Sequence, residues 1–314
     1  MRIPVLSTRR LLPAPERLLR RSFTVTGVPE KARGILTQVT DTVDSRAMDR
    51  SPRLEVISQC AVGVDNIDLR EAARRGITVM NTPDVLTEAT ADLTWALILA
   101  AARRLPEADR LCRSGRDWSW DLELLLGREL SGGVLGIVGL GRIGHAVARR
   151  GAGFGMRIVY ARRSRRPPSD PAYRRTGLRR LLSISDVVTI HVPSTPATFH
   201  LIGRDQIALM KPSAILVNTS RGPILDETAL IDALRRGRIW NAGLDVFERE
   251  PHVPDALRSN PRVVLTPHIG SATTATREAM AMTAVGNLVA YFAGRPDARR
   301  IAAGAGEGRG GRQG

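Results

Sequence analysis

The sequence predicts an α/β protein of two domains, each built on a parallel sheet. Short apolar runs alternate with helical periodicity over the first 90 residues and again from Val134 onward. That βα repetition winds a parallel sheet. A glycine-rich turn joins a strand to a helix near residue 139, as in doubly wound folds that bind nucleotides. The chain has 314 residues, 43% of them hydrophobic, enough for two cores.

The first domain begins with a strand at 3–7 and continues with strands at 35–39, 54–59 and 78–81. Each is a short apolar run bounded by turn residues. Helices are predicted at 15–21, 45–50 and 69–75, the last closed by Gly76 as a C-cap. A longer helix follows at 87–105, where Trp95, Leu97, Ile98 and Leu99 are too apolar for an exposed linker. It is read as the connection between the domains. The second series opens with the strand at 134–138 and continues at 156–161, 187–190, 214–218, 242–246 and 263–265. Asp226 caps a helix carrying Leu230, Ile231 and Leu234, which Gly237 ends. A last helix at 274–293 returns to the first domain. The resulting division is 1–93 with 276–295 for the first domain and 94–275 for the second. Residues 296–314, rich in Gly and Arg, are expected to be a disordered tail.

The turn itself reads Gly139-Leu140-Gly141-Arg142-Ile143-Gly144, G-x-G-x-x-G, between the apolar strand and a helix at 145–150. Gly139 allows the tight turn, Gly141 lets the backbone approach a pyrophosphate, and Gly144 lets helix and strand pack closely. The helix N-terminus then offers N–H groups and partial positive charge to the phosphates. The next strand decides the dinucleotide. An acid about 20 residues past the glycines would bind the ribose 2′-hydroxyl of NAD. Here Arg162 stands 18 positions after Gly144, followed by Arg163 and Ser164. Two guanidiniums and a hydroxyl suit a 2′-phosphate, whereas a carboxylate would repel it. NADP(H) is therefore expected in preference, with NAD(H) as the alternative.

Composition narrows the class. No run of 18 or more apolar residues exists, so no membrane span is predicted. The N-terminus is Arg-rich and lacks an acid before Glu16, as in transit peptides. The strand and helix readable there favour mature structure. Cys60 and Cys112 form neither a metal-ligand spacing nor a disulfide framework, which fits a reducing cytoplasm. The net charge of +16 would attract polyanions. Yet aromatics make up 4%, only Lys31 and Lys211 are lysine, and no nucleic-acid-binding motif is present. The arginine excess reads as a chain-wide bias, and Arg174, Arg175, Arg179 and Arg180 as a solvated face.

Three further segments place charged or polar residues where apolar strands end: 217–222 with Arg221, 243–251 with Asp245, Glu248 and Glu250, and 265–273 with His268. In an open parallel sheet, ligands sit beyond the carboxyl ends of the strands. A glutamate beside a histidine raises the imidazole pKa above its usual ~6.5 and keeps it protonated near neutrality. An imidazolium gives a proton to a carbonyl oxygen while a nicotinamide delivers hydride to its carbon. An arginine holds a substrate carboxylate and polarises the same carbonyl.

With these residues in place the chain resembles the D-isomer-specific 2-hydroxyacid dehydrogenases up to about residue 295. The matching segments are 61–68, 138–144, 191–198, Asn218-Thr219-Ser220-Arg221-Gly222, 243–246 with Glu250-Pro251, and Pro267-His268-Ile269-Gly270. The resemblance implies a Rossmann-type cofactor domain and a smaller flavodoxin-like substrate domain. It implies that Arg221 binds substrate, that Glu250 tunes the histidine, and that His268 is the general acid/base. Glu250 is preferred to Glu248 because the family's glutamate directly precedes proline. The resemblance also implies that the N–H groups of Val62 and Gly63 take the substrate carboxylate, with Ser271 nearby. Asp245 and Thr219 would orient the nicotinamide carboxamide, and Val192, Pro193, Thr198 and Gly270 would line the cofactor. No metal is implied.

Within the family the resemblance is nearest to glyoxylate/hydroxypyruvate reductases, on residues 81–87, the 267–273 ending and the arginines after the second strand. In these reductases a tryptophan reaches the partner subunit's active site, and Trp120 matches it. Ordinary packing at a dimer interface is the other reading of Trp118 and Trp120. A homodimer through the cofactor domain is implied. Other activities in the family are the 2-ketogluconate reductase and phosphoglycerate dehydrogenase types. A cofactor-sensing protein without catalysis, or a nucleic-acid binder driven by charge, are the readings from other classes. His191 is read as structural or cofactor-side, and His145 and His200 as surface residues. One departure stands out: only residues 26–33 occupy the place where relatives carry a strand–helix segment. Its loss would bare one face of the small sheet or require a partner to cover it. It also affects the loop at 36–41, which should border the substrate.

Overall fold

The computed structural model describes residues 2–163, 168, 170–295 and 300–301. The chain forms two compact units, one of residues 1–86 with 271–314 and one of residues 87–270.

The first unit carries β1 (Pro4–Ser7), α1 (Pro13–Ser22), β2 (Thr24–Thr26), β3 (Gly34–Thr37), α2 (Ser45–Asp49), β4 (Val56–Gln59), α3 (Leu69–Arg74) and β5 (Thr78–Met80). The order β5-β4-β3-β1-β2 is parallel throughout. Asp44 caps α2 by accepting from Ala47 N at 2.9 Å, and Asp68 caps α3 by accepting from Glu71 N at 2.9 Å. Strand β2, paired with β1, ends at Thr26, where the shortened stretch 26–33 begins. The missing helix is replaced by a 3-10 turn, Pro29–Lys31, from which the chain drops into β3. Val25 packs into the core under α1, so Thr24 and Thr26 alternate onto the opposite face.

The second unit starts with α4 (Thr87–Ala102) and α5 (Leu105–Arg113). The single helix expected at 87–105 is broken, with Arg104 in the left-handed region at φ 53°. Pro106 explains the break: its ring cannot follow a continuous helix without clashing with the carbonyl of Ala102. Then follow β6 (Val134–Val138), α6 (Arg142–Gly153), β7 (Arg157–Ala161), β8 (Arg174–Arg175), α7 (Leu178–Ile184), β9 (Val187–Ile190), α8 (Arg204–Ala208), β10 (Ile215–Asn218), α9 (Glu227–Arg235), β11 (Asn241–Leu244), α10 (Asp255–Arg258) and β12 (Val263–Leu265). The sheet order is β12-β11-β10-β9-β6-β7-β8, all parallel. Strand order reverses between β6 and β9, the switch point where doubly wound sheets bind ligands. Gly136 in β6 lets α7 pack closely, since a Cβ there would stand 2.2 Å from Ser185 Oγ and 2.7 Å from Leu181 Cδ2, and those side chains would have to move. On the other face of the sheet, the Trp95 indole donates from Nε1 to Val147 O at 3.1 Å and ties α4 to α6.

Helix α11 (Thr274–Phe292) returns to the first unit and covers β3 and β4 through Ala281, Ala284, Val285 and Leu288. Of the tail expected at 296–314, only β13 (Arg300–Ile301) is described, antiparallel to β5. The rest lies outside the described residues.

Candidate active site

The glycine turn is shaped as its spacing demands. Gly139 has φ 100°, and a Cβ there would lie 2.5 Å from His191 O. At Gly144 a Cβ would lie 2.3 Å from Gly139 O and 3.2 Å from Ile137 Cγ2. Gly141 has nothing within 4 Å of its Cβ position, so its backbone is approachable. Among the described residues no side chain at the N-cap closes α6 and no acid occupies its first turn, so the positive end of the helix suits an anion. Leu140 is buried and Ile143 packs against the core, so both serve the turn through their backbone.

Arg162 folds back over this turn. Its Nη1 donates to Leu140 O at 3.3 Å and its guanidinium lies 5.3 Å over the Tyr160 ring. Its Nε and Nη2 are sealed from solvent without a partner among the described residues. A buried guanidinium with idle donors is costly, and a phosphate would satisfy it. The donor set thus fits a dinucleotide with a 2′-phosphate. Arg163 is exposed, and Ser164 lies outside the described residues.

After β9 the loop is held by its own hydroxyls. Ser220 donates from Oγ to Val192 O. Thr198 donates from Oγ1 to Pro193 O at 2.7 Å and accepts from Thr195 N at 2.8 Å. Its hydroxyl is thereby engaged in shaping the segment that carries Val192 and Pro193. His191 pairs through Nε2 with Thr189 Oγ1 at 2.9 Å, and burial pulls its imidazole down to about 3. It is neutral at physiological pH and does not supply an acid.

The catalytic candidates converge at the carboxyl ends of β10, β11 and β12. His268 has φ 54°, and its Nδ1 lies 2.8 Å from Glu250 Oε2. Phe247 N donates to Glu250 Oε1 at 3.1 Å. Burial opposes ionisation of Glu250. The hydrogen bond and charge of His268, the Phe247 N–H and the charge of Arg221 outweigh burial and set its carboxyl below the usual range. With Nδ1 committed to Glu250, Nε2 is the nitrogen able to exchange a proton with a ligand. Arg221 leaves β10 in extended conformation; its Nη1 donates to Ser220 O at 2.9 Å and its carbonyl accepts from Asn218 Nδ2 at 2.9 Å.

Asp245 builds the turn that presents the histidine. It accepts from Ile269 N at 2.7 Å, Thr266 Oγ1 at 2.7 Å and Gly270 N at 2.8 Å, while its carbonyl accepts from His268 N at 2.8 Å. Burial pushes its carboxyl up against the pull of these donors. Thr219 Oγ1 lies 2.8 Å from Thr94 Oγ1 in a buried pair.

Glu248, which the sequence ranks behind Glu250, and His200, expected at the surface, are bonded to each other. Glu248 Oε1 accepts from Glu227 N at 2.9 Å and pairs with His200 Nε2 at 3.1 Å. In return Glu227 Oε1 accepts from Glu248 N at 2.9 Å. This reciprocal clasp joins the segment after Arg221 to the segment before Glu250. A Cβ on Gly222 would overlap Phe247 C at 1.9 Å, so only glycine lets the two backbones meet. No local signal pairs Glu227 with Glu248; the first-turn acid of α9 was the only hint.

In the first unit, Val62 and Gly63 lie on the loop leaving β4. The 38–41 loop is braced there by Asn66 Nδ2, which donates to Gln38 O at 3.1 Å and Asp41 O at 2.7 Å. Ser271 accepts through its carbonyl from Thr273 N at 2.8 Å. Trp118 and Trp120 are 55% and 77% exposed, next to exposed Leu122 and Leu126. Among the described residues no group of three or more His, Cys, Asp or Glu side chains could hold a metal, and no helix is long and apolar enough to cross a membrane.

Comparison with known proteins places the chain in a family. The model of the D-isomer specific 2-hydroxyacid dehydrogenase NAD binding domain matches residues 95–270. A glyoxylate reductase of Thermococcus litoralis is 50% identical over 267 residues, 83% of this chain and 80% of that protein. The TT0316 protein of Thermus thermophilus superimposes with a TM-score of 0.89 at 46% identity, covering 96% of this chain and 100% of that one. An NADPH-dependent glyoxylate/hydroxypyruvate reductase of Sinorhizobium meliloti, solved with NADP and malonate, gives a TM-score of 0.87 at 36% identity, covering 96% of this chain and 97% of that one. With the nucleotide cradle, the Arg–Glu–His group and these relatives together, the chain belongs to the D-isomer-specific 2-hydroxyacid dehydrogenases, oxidoreductases that use a nicotinamide cofactor.

Proposed function

We propose that the protein reduces a small 2-oxo acid, glyoxylate or hydroxypyruvate, to the D-2-hydroxy acid, with NADPH preferred to NADH. The observation that carries the reaction is the 2.8 Å bond between His268 Nδ1 and an ionised Glu250. Glu250 stabilises the imidazolium, and His268 Nε2 gives its proton to the substrate carbonyl oxygen. Arg221 takes the substrate carboxylate and polarises the same carbonyl. The amides of Val62 and Gly63 bind that carboxylate as well. A bound nicotinamide supplies hydride to the carbonyl carbon. The α6 N-terminus and the Gly139–Gly144 turn hold the pyrophosphate, and Arg162 and Arg163 the 2′-phosphate. Thr219 and Asp245 face the carboxamide, with Val192, Pro193 and Gly270 beside it. The substrate assignment is supported by the identity to glyoxylate reductases and the cofactor assignment by the idle donors of Arg162.

We further infer a homodimer through the cofactor unit, supported by the exposed apolar side chains at 118–126. Light scattering on the purified chain tests that. The activity is tested by NADPH oxidation over a panel of 2-oxo acids. Turnover of glyoxylate or hydroxypyruvate is expected, and no turnover with any member would overturn the assignment.

A further inference from the structure

The loop after β4 is held in a way that packing does not require. Three successive carbonyls are each captured. Ala61 O accepts from Thr82 N at 2.9 Å, Val62 O from Asn81 Nδ2 at 2.8 Å, and Gly63 O from Gln59 Nε2 at 3.2 Å. In a trans peptide the C=O of one residue and the N–H of the next point in opposite directions within one rigid plane. Fixing Ala61 O therefore aims the amide of Val62, and fixing Val62 O aims the amide of Gly63. No acceptor among the described residues takes either amide. Thr82 and Asn81, neighbours on the exit from β5, thus orient two successive N–H groups to one side, a backbone concavity of the kind that binds anions.

Asn81 is itself held from α11. Its carbonyl accepts from Asn287 Nδ2 at 2.9 Å. Asn287 is fully buried between Ala284 and Leu288, and its Oδ1 has no partner among the described residues. A half-satisfied amide in an apolar helix face is destabilising compared with leucine. Its Nδ2 also reaches Ser58 Oγ, at 3.5 Å, but the shorter bond, at 2.9 Å, is the one that fixes the backbone of Asn81.

We propose that Asn81 is a positioning residue for recognition of the substrate carboxylate, and that Asn287 acts on the same recognition through Asn81. The inference rests on the reading that the Val62 and Gly63 amides bind that carboxylate. Hydrogen bonds to a charged group are strong enough that losing the aim of one amide weakens binding about tenfold or more.

The test uses the full chain with saturating NADPH. In Asn81→Ala the KM for glyoxylate rises about tenfold, while kcat and the NADPH Kd stay within about twofold. Asn287→Leu raises KM several-fold when Asn81 is present and adds nothing in the Asn81→Ala background. A general weakening of the unit would instead make the two changes additive. Thermal midpoints and oxalate binding by calorimetry accompany each variant, with Asn81→Ser as a second, gentler replacement. A folded Asn81→Ala or Asn81→Ser with unchanged KM and oxalate affinity overturns the proposal, as does additivity with Asn287→Leu. If the unsubstituted chain binds oxalate but does not reduce glyoxylate, the substrate assignment fails. Weaker oxalate binding in the variants then still supports the positioning role, and unchanged binding overturns it.

Discussion

Replacing Glu250 by glutamine isolates the charge of the carboxylate from its geometry. The amide oxygen of glutamine still accepts from His268 Nδ1–H, so the ring keeps its orientation and its tautomer. What disappears is the negative charge 2.8 Å from the imidazole nitrogen. For charge centres about 4 Å apart, an effective dielectric of about 20 gives an interaction of about 4 kcal/mol. Both side chains are close to one-third exposed, 29% for His268 and 31% for Glu250, so solvent screens much of this. A residue of about 1.4 kcal/mol corresponds to about one pH unit. The sign follows from which form the carboxylate favours. The Glu250 carboxyl lies below the usual range because, against the opposing effect of burial, a positive imidazole stabilises its charge. By reciprocity the carboxylate stabilises the imidazolium, the form that gives the proton during reduction. Without the charge, that stabilisation of the proton-donating form is lost. The alkaline limb of the kcat/KM profile for glyoxylate reduction should therefore move down by about one pH unit, with the acidic plateau nearly retained. A steady-state profile of both proteins decides the matter. An unmoved limb, in an enzyme where His268 is essential, refutes the pairing.

His268→Ala should lower kcat by about 10²–10⁴-fold while leaving NADPH affinity nearly unchanged, as measured by steady-state kinetics and fluorescence titration. Arg162→Ala should lower kcat/KM with NADPH by about tenfold to a hundredfold and leave that with NADH within a few-fold. Equal losses with both cofactors would remove the arginine from 2′-phosphate recognition. Gly222→Ala places a methyl group on the Phe247 backbone, where a Cβ would approach to 1.9 Å. Backbone cannot swing aside as a side chain does, so the cost is about 3 kcal/mol or more, a fall in Tm of about 6 °C or more for a unit of this size. An unperturbed Tm in calorimetry would show that the two segments do not meet.

The features readable in advance are those whose cause is local. The spacing of Gly139, Gly141 and Gly144 states its own backbone requirement, and the structure meets it with φ 100° at Gly139 and a Cβ-intolerant contact at Gly144. Asp226 announces a cap and provides one, accepting from Ala229 N at 2.9 Å. Arg162, placed by its spacing from Gly144, does lie over the glycine turn, its Nη1 donating to Leu140 O at 3.3 Å. Where one local signal competes with another, reading fails. The helix expected at 87–105 ends at Ala102, three residues short, because Pro106 in the first turn of the next helix sets a new start. At the edge strand β2, Thr24 is exposed and Thr26 half-buried, so polar side chains flank Val25 there.

What was beyond reach is the bonding that links distant segments. Glu227 and Glu248 clasp across 21 positions, and Asn287 holds Asn81 across 206. Each is an ordinary polar residue in its own neighbourhood: a first-turn acid, a glutamate two positions before Glu250, an amide on a helix, an amide before a proline turn. Their common property is that the partner is backbone. Glu248 reaches the N–H of Glu227, Asn81 reaches the carbonyl of Val62, and Asn287 reaches the carbonyl of Asn81. Every residue offers a backbone donor or acceptor, proline lacking only the donor, so the partner's sequence carries no mark of being chosen. Catalytic side chains advertise themselves by type, whereas the residues that aim the backbone around them do so only by position. Assigning them therefore takes coordinates first and substitution second, with Asn81 and Asn287 as a pair whose coupling is measurable.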